Sequence, residues 1–131
     1  MDLKLELIPV PVSDVERAKA FYEQAGFAVD NDVTVKEGLR FIQLTPPGSG
    51  CSVSIGEGIT EMEPGSLEGL QLVVEDIEVA RETLAGRGLE VSDVQDFPWG
   101  RFVYFSDPDG NGWAVQEIPD YGEGRTQPEG L

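Results

Sequence analysis

Apolar and polar residues alternate from Leu3 to Val12. Leu3, Leu5 and Leu7 interleave with Lys4 and Glu6, then Ile8, Val10 and Val12 with Pro9 and Pro11. A period of two predicts a strand. Its two prolines lack N–H donors, so its distal half is expected at an edge or a junction between sheets. Ser13 or Asp14 then caps a helix in which Val15, Ala18, Phe21 and Tyr22 recur at helical spacing, and Gly26 supplies the stop. Phe27 to Val29 begins a second strand. Leu39 to Thr45 and Cys51 to Ile55 form a hairpin around Pro46-Pro47-Gly48-Ser49-Gly50.

Gly56 to Ser66 carries Gly, Pro and Glu without apolar periodicity and reads as a linker. From Leu67 the plan restarts. Gly69 to Val74 is a strand, Asp76 caps a helix with Ile77, Ala80 and Leu84 on its apolar stripe, and Gly88 ends it. Leu89 to Val91 reads as a short strand, followed by a loop that runs on through Asp96-Phe97-Pro98-Trp99-Gly100. Phe102 to Phe105 and Trp113 to Glu117 flank Asp107-Pro108-Asp109-Gly110-Asn111-Gly112, whose fixed-φ and positive-φ residues suit a tight reversal.

The two halves agree in phase. Asp14, Val15, Glu16, Ala18, Lys19, Gly26, Phe27 and Val29 face Asp76, Ile77, Glu78, Ala80, Arg81, Gly88, Leu89 and Val91, each pair 62 residues apart. Gly48, Gly50 and Val53 map onto Gly110, Gly112 and Val115 at the same offset. The expectation is one α+β domain over 1–131 built from two tandem βαβββ modules, 3–55 and 67–118. Residues 56–66 link them, and 119–131 form a polar tail. Neither module buries both its helix and its sheet alone, so the two sheets are expected to curve into an open cup with helices outside.

Composition narrows the function. Twenty-five acids against nine bases leave a net charge of −16, which repels nucleic acid and anionic membranes. That acidity either keeps the protein soluble or attracts cationic ligands. The single cysteine, Cys51, excludes an intrachain disulfide framework; in phase with Val53 and Ile55, it reads as a small buried hydrophobe. No apolar run approaches the roughly 20 residues of a membrane helix. The N-terminus lacks a secretion signal's basic start and apolar middle, so a cytoplasmic location is expected.

The segments Val12 to Tyr22, Val74 to Arg81 and Asp107 to Glu117 resemble the glyoxalase/bleomycin resistance/dioxygenase group, also called the vicinal oxygen chelate superfamily. The resemblance runs from about Leu3 to Glu117. It implies the βαβββ fold, homodimerisation, and functions spread over isomerases, epimerases, dioxygenases, thiol transferases and non-catalytic drug binders. Metalloenzymes of the group hold a divalent metal with histidine and glutamate. Their ligand positions correspond to Leu7 and Gly69 on the first strands and to Ser52 and Ala114 on the last. None of the four suits a transition metal. A slip of two residues offers Pro9, Gln71, Ser54 and Gln116, which bring no negative charge, and the chain has no histidine. No cofactor or metal is therefore expected.

By parity with those positions, Gln71 and Gln116 project into the cavity. They either orient a ligand or satisfy each other. Trp99 is a stacking platform or a lid aromatic. Tyr104 is a polar-tipped cavity wall or plain core, because the register across the sheet leaves open whether Phe102 and Tyr104 or Val103 and Phe105 face inward. Arg40 and Arg101 hold an anionic ligand group or make surface ion pairs. The ligand-binding candidates are thus Gln71, Gln116, Tyr104, Trp99, Ser54 and Arg40. The favoured function is metal-free binding of a small aromatic or cationic compound such as an antibiotic. The alternative is a divalent-metal lyase, isomerase or dioxygenase with atypical ligands.

Overall fold

The computed structural model describes residues 1–119. The chain forms two compact units, one of residues 1–68 with 107–111, the other of residues 69–106 with 112–119. The expected polar tail falls, from residue 120 on, outside the described residues. Among those described, no helix is long and apolar enough to cross a membrane.

The first unit runs β1 (Leu7–Pro9), α1 (Val15–Ala25), β2 (Ala28–Lys36), β3 (Leu39–Thr45), β4 (Ser52–Glu57). Its mixed sheet has the order β1-β4-β3-β2, with β1 parallel to β4 and the other pairs antiparallel. The second unit repeats the plan as β5 (Leu70–Val74), α2 (Ile77–Gly86), β6 (Gln95–Phe97), β7 (Gly100–Ser106), β8 (Gly112–Glu117), in the order β5-β8-β7-β6. The fold is thus the expected pair of βαβββ modules.

The local causes also repeat. Asp14 accepts a hydrogen bond from the Arg17 N–H at 3.1 Å, and Asp76 accepts from Glu78 and Val79 at 3.0 and 3.2 Å. Each carboxylate caps N–H groups that the first helical turn leaves unpaired. Gly26 (φ 108°) and Gly88 (φ 92°) leave the helices through the left-handed region. Val15, Ala18, Tyr22 and Ala25 bury one stripe of α1, which lies against β4, whereas Ile77 alone is fully buried on α2.

Three expectations need correction. β1 covers only Leu7–Pro9, and Leu3 and Leu5 are exposed; Pro9 and Pro11 bring no ladder donor, and β1 pairs on one side only, as an edge. Residues 89–91 are not a strand. Ser92 interrupts the ladder there, its Oγ accepting from the Tyr104 N–H at 2.9 Å and its own N–H donating to the Tyr104 carbonyl at 3.0 Å. The pairing resumes at Gln95–Phe97, inside the stretch read as a loop. Cys51 is half-buried, since it sits just before β4 in the turn.

The turn at 107–111, which connects β7 to β8, belongs to the first unit. The buried Asp107 carboxylate accepts from Tyr22 Oη at 2.7 Å, Asn111 Nδ2 at 2.8 Å, and the Asn111 and Asp109 N–H groups at 2.9 and 3.0 Å. Asn111 also donates to the Pro11 carbonyl at 2.7 Å and accepts from the Leu67 N–H at 3.1 Å. Ser13 holds Asp109 through its N–H and hydroxyl. Every buried side-chain nitrogen and oxygen of this cluster has a partner, as burial requires.

Candidate functional site

Pairing register decides which side chains share a face. In the second sheet Phe102 stands opposite Gln116 and Tyr104 opposite Ala114; on the other flank Gln71 stands beside Ala114 and Val73 beside Gln116. Residues paired across a ladder point the same way. Phe102 and Tyr104 therefore share the face of the two glutamines, together with Gln95, which pairs with Phe102, and Phe97. The opposite face carries Val103, Phe105, Trp113, Val115 and Glu117. It faces α2, since Glu117 Oε1 accepts from the Ile77 N–H at 3.0 Å.

The face away from α2 is amide and aromatic. Gln116, nearly buried, accepts at Oε1 from Gln71 Nε2 in a short hydrogen bond and donates from Nε2 to the Trp99 carbonyl at 2.9 Å. Four rings run along β6, β7 and their turn. Trp99 stacks on Phe97 (centroids 5.1 Å, planes 9° apart), Phe97 meets Phe102 edge-on at 5.7 Å, and Phe102 stacks with Tyr104 at 6.0 Å. Phe102 is buried, while Phe97, Trp99 and Tyr104 are 39%, 42% and 36% exposed. A wall with that much open aromatic surface can accept a planar ring.

Charge is sorted between the two faces of this sheet. Its strand residues Gln71, Val73, Gln95, Phe97, Phe102, Tyr104, Ala114 and Gln116 on the amide face are all uncharged. Asp96, Arg101 and Glu117 lie on the helix face, where Arg101 pairs with Asp96 at 2.8 Å and Glu78 at 3.3 Å. Those two acids, Asp96 first, raise the Arg101 pKa further.

The structure thus gathers Gln71, Trp99, Tyr104 and Gln116 on one unit and leaves Ser54 and Arg40 on the other. Ser54 is buried on β4, on the sheet face shared with Ser52, Gln43 and Thr45. Ser52 Oγ there accepts from Gln43 Nε2 at 3.2 Å and shares a 2.6 Å hydrogen bond with Thr45. Arg40 projects from the other face toward α1. It bonds Asp32 at 2.9 and 2.8 Å and also pairs with Glu16, while Lys19 completes the cluster 2.9 Å from Asp32. Arg40 therefore takes the ion-pair role of the two it was offered. Phe97 and Gln95 are the face residues that sequence reasoning placed in a loop. The signal that pointed to them was two aromatics, Phe97 and Trp99, flanking one proline.

The positions implied for a metal do not fit one. Leu7 stands beside Ser52 in the first unit and Gln71 beside Ala114 in the second. Gly69, the position counted from the cap, precedes β5, so the first strand of the second unit sits two residues out of phase with the 62-residue repeat. A hydroxyl, an amide and two alkyl groups lack the imidazole or carboxylate that binds a transition metal. Among the described residues no three His, Cys, Asp or Glu side chains converge on a point that would hold a cation.

Known proteins share this architecture. The family model of the Glyoxalase/Bleomycin resistance protein/Dioxygenase superfamily matches residues 4–115. TnmS3, an antibiotic binding protein from Streptomyces sp. CB03234, is 37% identical with a TM-score of 0.81, over 90% of this chain and 98% of its own. A glyoxalase/bleomycin resistance protein from the same organism is 38% identical with a TM-score of 0.75, over 86% and 99%. A superfamily member from Sphaerobacter thermophilus DSM 20745 is 33% identical with a TM-score of 0.76, over 88% and 98%. With the family model spanning both modules, this chain belongs to the glyoxalase/bleomycin resistance protein/dioxygenase superfamily.

Proposed function

We propose that the protein binds a small planar aromatic molecule of the antibiotic type without a metal, on the face that carries Gln71, Trp99, Tyr104 and Gln116. The observation that carries this reading is the sorting of charge across the second sheet, which leaves an exposed aromatic face with amides and no ion. Rings stack on such a face, and amides give hydrogen bonds without the desolvation cost of a charge. The absence of a carboxylate there favours an uncharged ring system over a cation. The likeness to TnmS3, an antibiotic binding protein, supports the same ligand class. Leu7, Ser52, Gln71 and Ala114, as a donor set, support binding without a metal. We also propose that two copies associate, a reading supported by the exposed valines Val33 and Val35 of edge strand β2.

Thermal shift against uncharged planar aromatics tests the binding, and melting temperature is expected to rise with ligand concentration. Trp99→Ala, which removes an exposed platform, should weaken affinity about tenfold with little change in stability. Metal analysis of protein purified without chelator is expected to be blank. Stoichiometric metal, with ligand binding lost on chelation, would overturn the metal-free reading. Flat melting curves across an aromatic series would overturn the binding itself.

A further inference from the structure

Both ends of the Gln116 amide are used within the second unit. A carbonyl only accepts, so the Trp99 carbonyl requires nitrogen on its side of the amide, 2.9 Å away. Gln116 Oε1 then faces Gln71, which must donate. Room for this arrangement is kept at Gly100. A Cβ there would lie 2.7 Å from Gln116 Nε2, 3.1 Å from its Cγ and 3.0 Å from the Glu117 carbonyl oxygen. Pro98 and Trp99 make the turn between β6 and β7, closed by Phe97 opposite Gly100. The Trp99 ring itself stacks on Phe97 and stays well exposed.

We infer that Gln116 is a positioning residue, which with the space at Gly100 holds the Trp99 carbonyl so that the Trp99–Phe97 stack is presented to a ligand. It acts through Trp99 and Gln71 and does not itself meet the ligand. Gln71 is left with its side-chain oxygen and one N–H, on the face that also carries the Tyr104 hydroxyl and the Gln95 amide. This deepens the proposed function and rests on that reading of the face as a binding surface.

Acrylamide quenching of tryptophan emission tests the inference without any ligand. Trp113 is only 3% exposed, so the quenchable emission belongs to Trp99, an assignment checked by Trp99→Phe. Gln116→Glu keeps the length and the acceptor for Gln71 but turns a carboxylate on the Trp99 carbonyl. Gln116→Met removes both bonds in an unbranched apolar chain, and Gly100→Ala keeps the amide while filling its space. Each should raise the Trp99 quenching constant and weaken binding of prodan, an uncharged naphthalene dye, about fivefold, the net effect of one hydrogen bond. Unchanged quenching in whichever of the three retain a cooperative melt would overturn the inference. If all three lost that melt while Trp99→Phe kept it, Gln116 and Gly100 would be core determinants, and the inference would fall equally. Failure of the binding reading looks different: wild-type protein would leave prodan emission unshifted while the quenching differences persisted.

Discussion

Asp32 shows how one acidic side chain is committed. Hydrogen bonds from Arg40 and then Lys19 hold its carboxyl well below the usual carboxylate range. A depressed folded-state pKa stabilises the protein above the unfolded value of about 4. That contribution is lost as pH falls through the folded-state pKa. Asp32→Asn should therefore lower the melting temperature at neutral pH, and the gap from wild type should shrink in acid, as melting curves across pH will record. A gap independent of pH would mean the cluster is held by packing alone. The two fates open to Arg40 in the sequence differ only in which acids lie within reach. Asp32 and Glu16 come to it from a neighbouring strand and from α1, which spacing along the chain does not reveal.

At the scale of elements, the two hairpin turns have diverged. The first, around Gly48, is an exposed turn closed by the Ser49 N–H on the Pro46 carbonyl at 3.0 Å. The second, Asp107 to Asn111, is buried and bonded to Tyr22, Pro11, Ser13 and Leu67. Asn111→Ala should cost about 2 kcal/mol, because it leaves the half-buried Leu67 N–H without its partner and takes one donor each from the Asp107 carboxylate and from the Pro11 carbonyl, which keeps the Gly65 N–H at 3.1 Å. Urea unfolding checks this through a lower midpoint at unchanged slope. Helices and hairpins were legible because caps, stripes and Pro/Gly turns are local signals. β6 was not, because the Ser92 hydroxyl replaces a strand partner for Tyr104 and the Phe97 ring packs on Phe102, contacts made only after β7 is in place. The choice of Phe102 and Tyr104 over Val103 and Phe105 for the amide face had the same origin. Alternation names the two sets, and the register opposite Gln116 and Ala114 chooses between them.

For the molecule as a whole, a charge of −16 opposes the association of two copies. Sedimentation should find a dimer that tightens as salt is added from low ionic strength, since screening acts over about 10 Å at about 0.1 M. A monomer at every salt concentration would refute self-association. The duplicated plan, its capped helices and the lack of histidine follow from the order of residues alone, because periodicity, capping and composition act over a few neighbouring positions. Folding had to settle the rest: which acids surround Arg40, that Gln116 spends its amide on Gln71 and Trp99, and that the uncharged rings gather on one side of the second sheet. Those outcomes depend on strand register and on contacts between residues far apart in the chain, and a shift of one position would turn every such side chain to the other face.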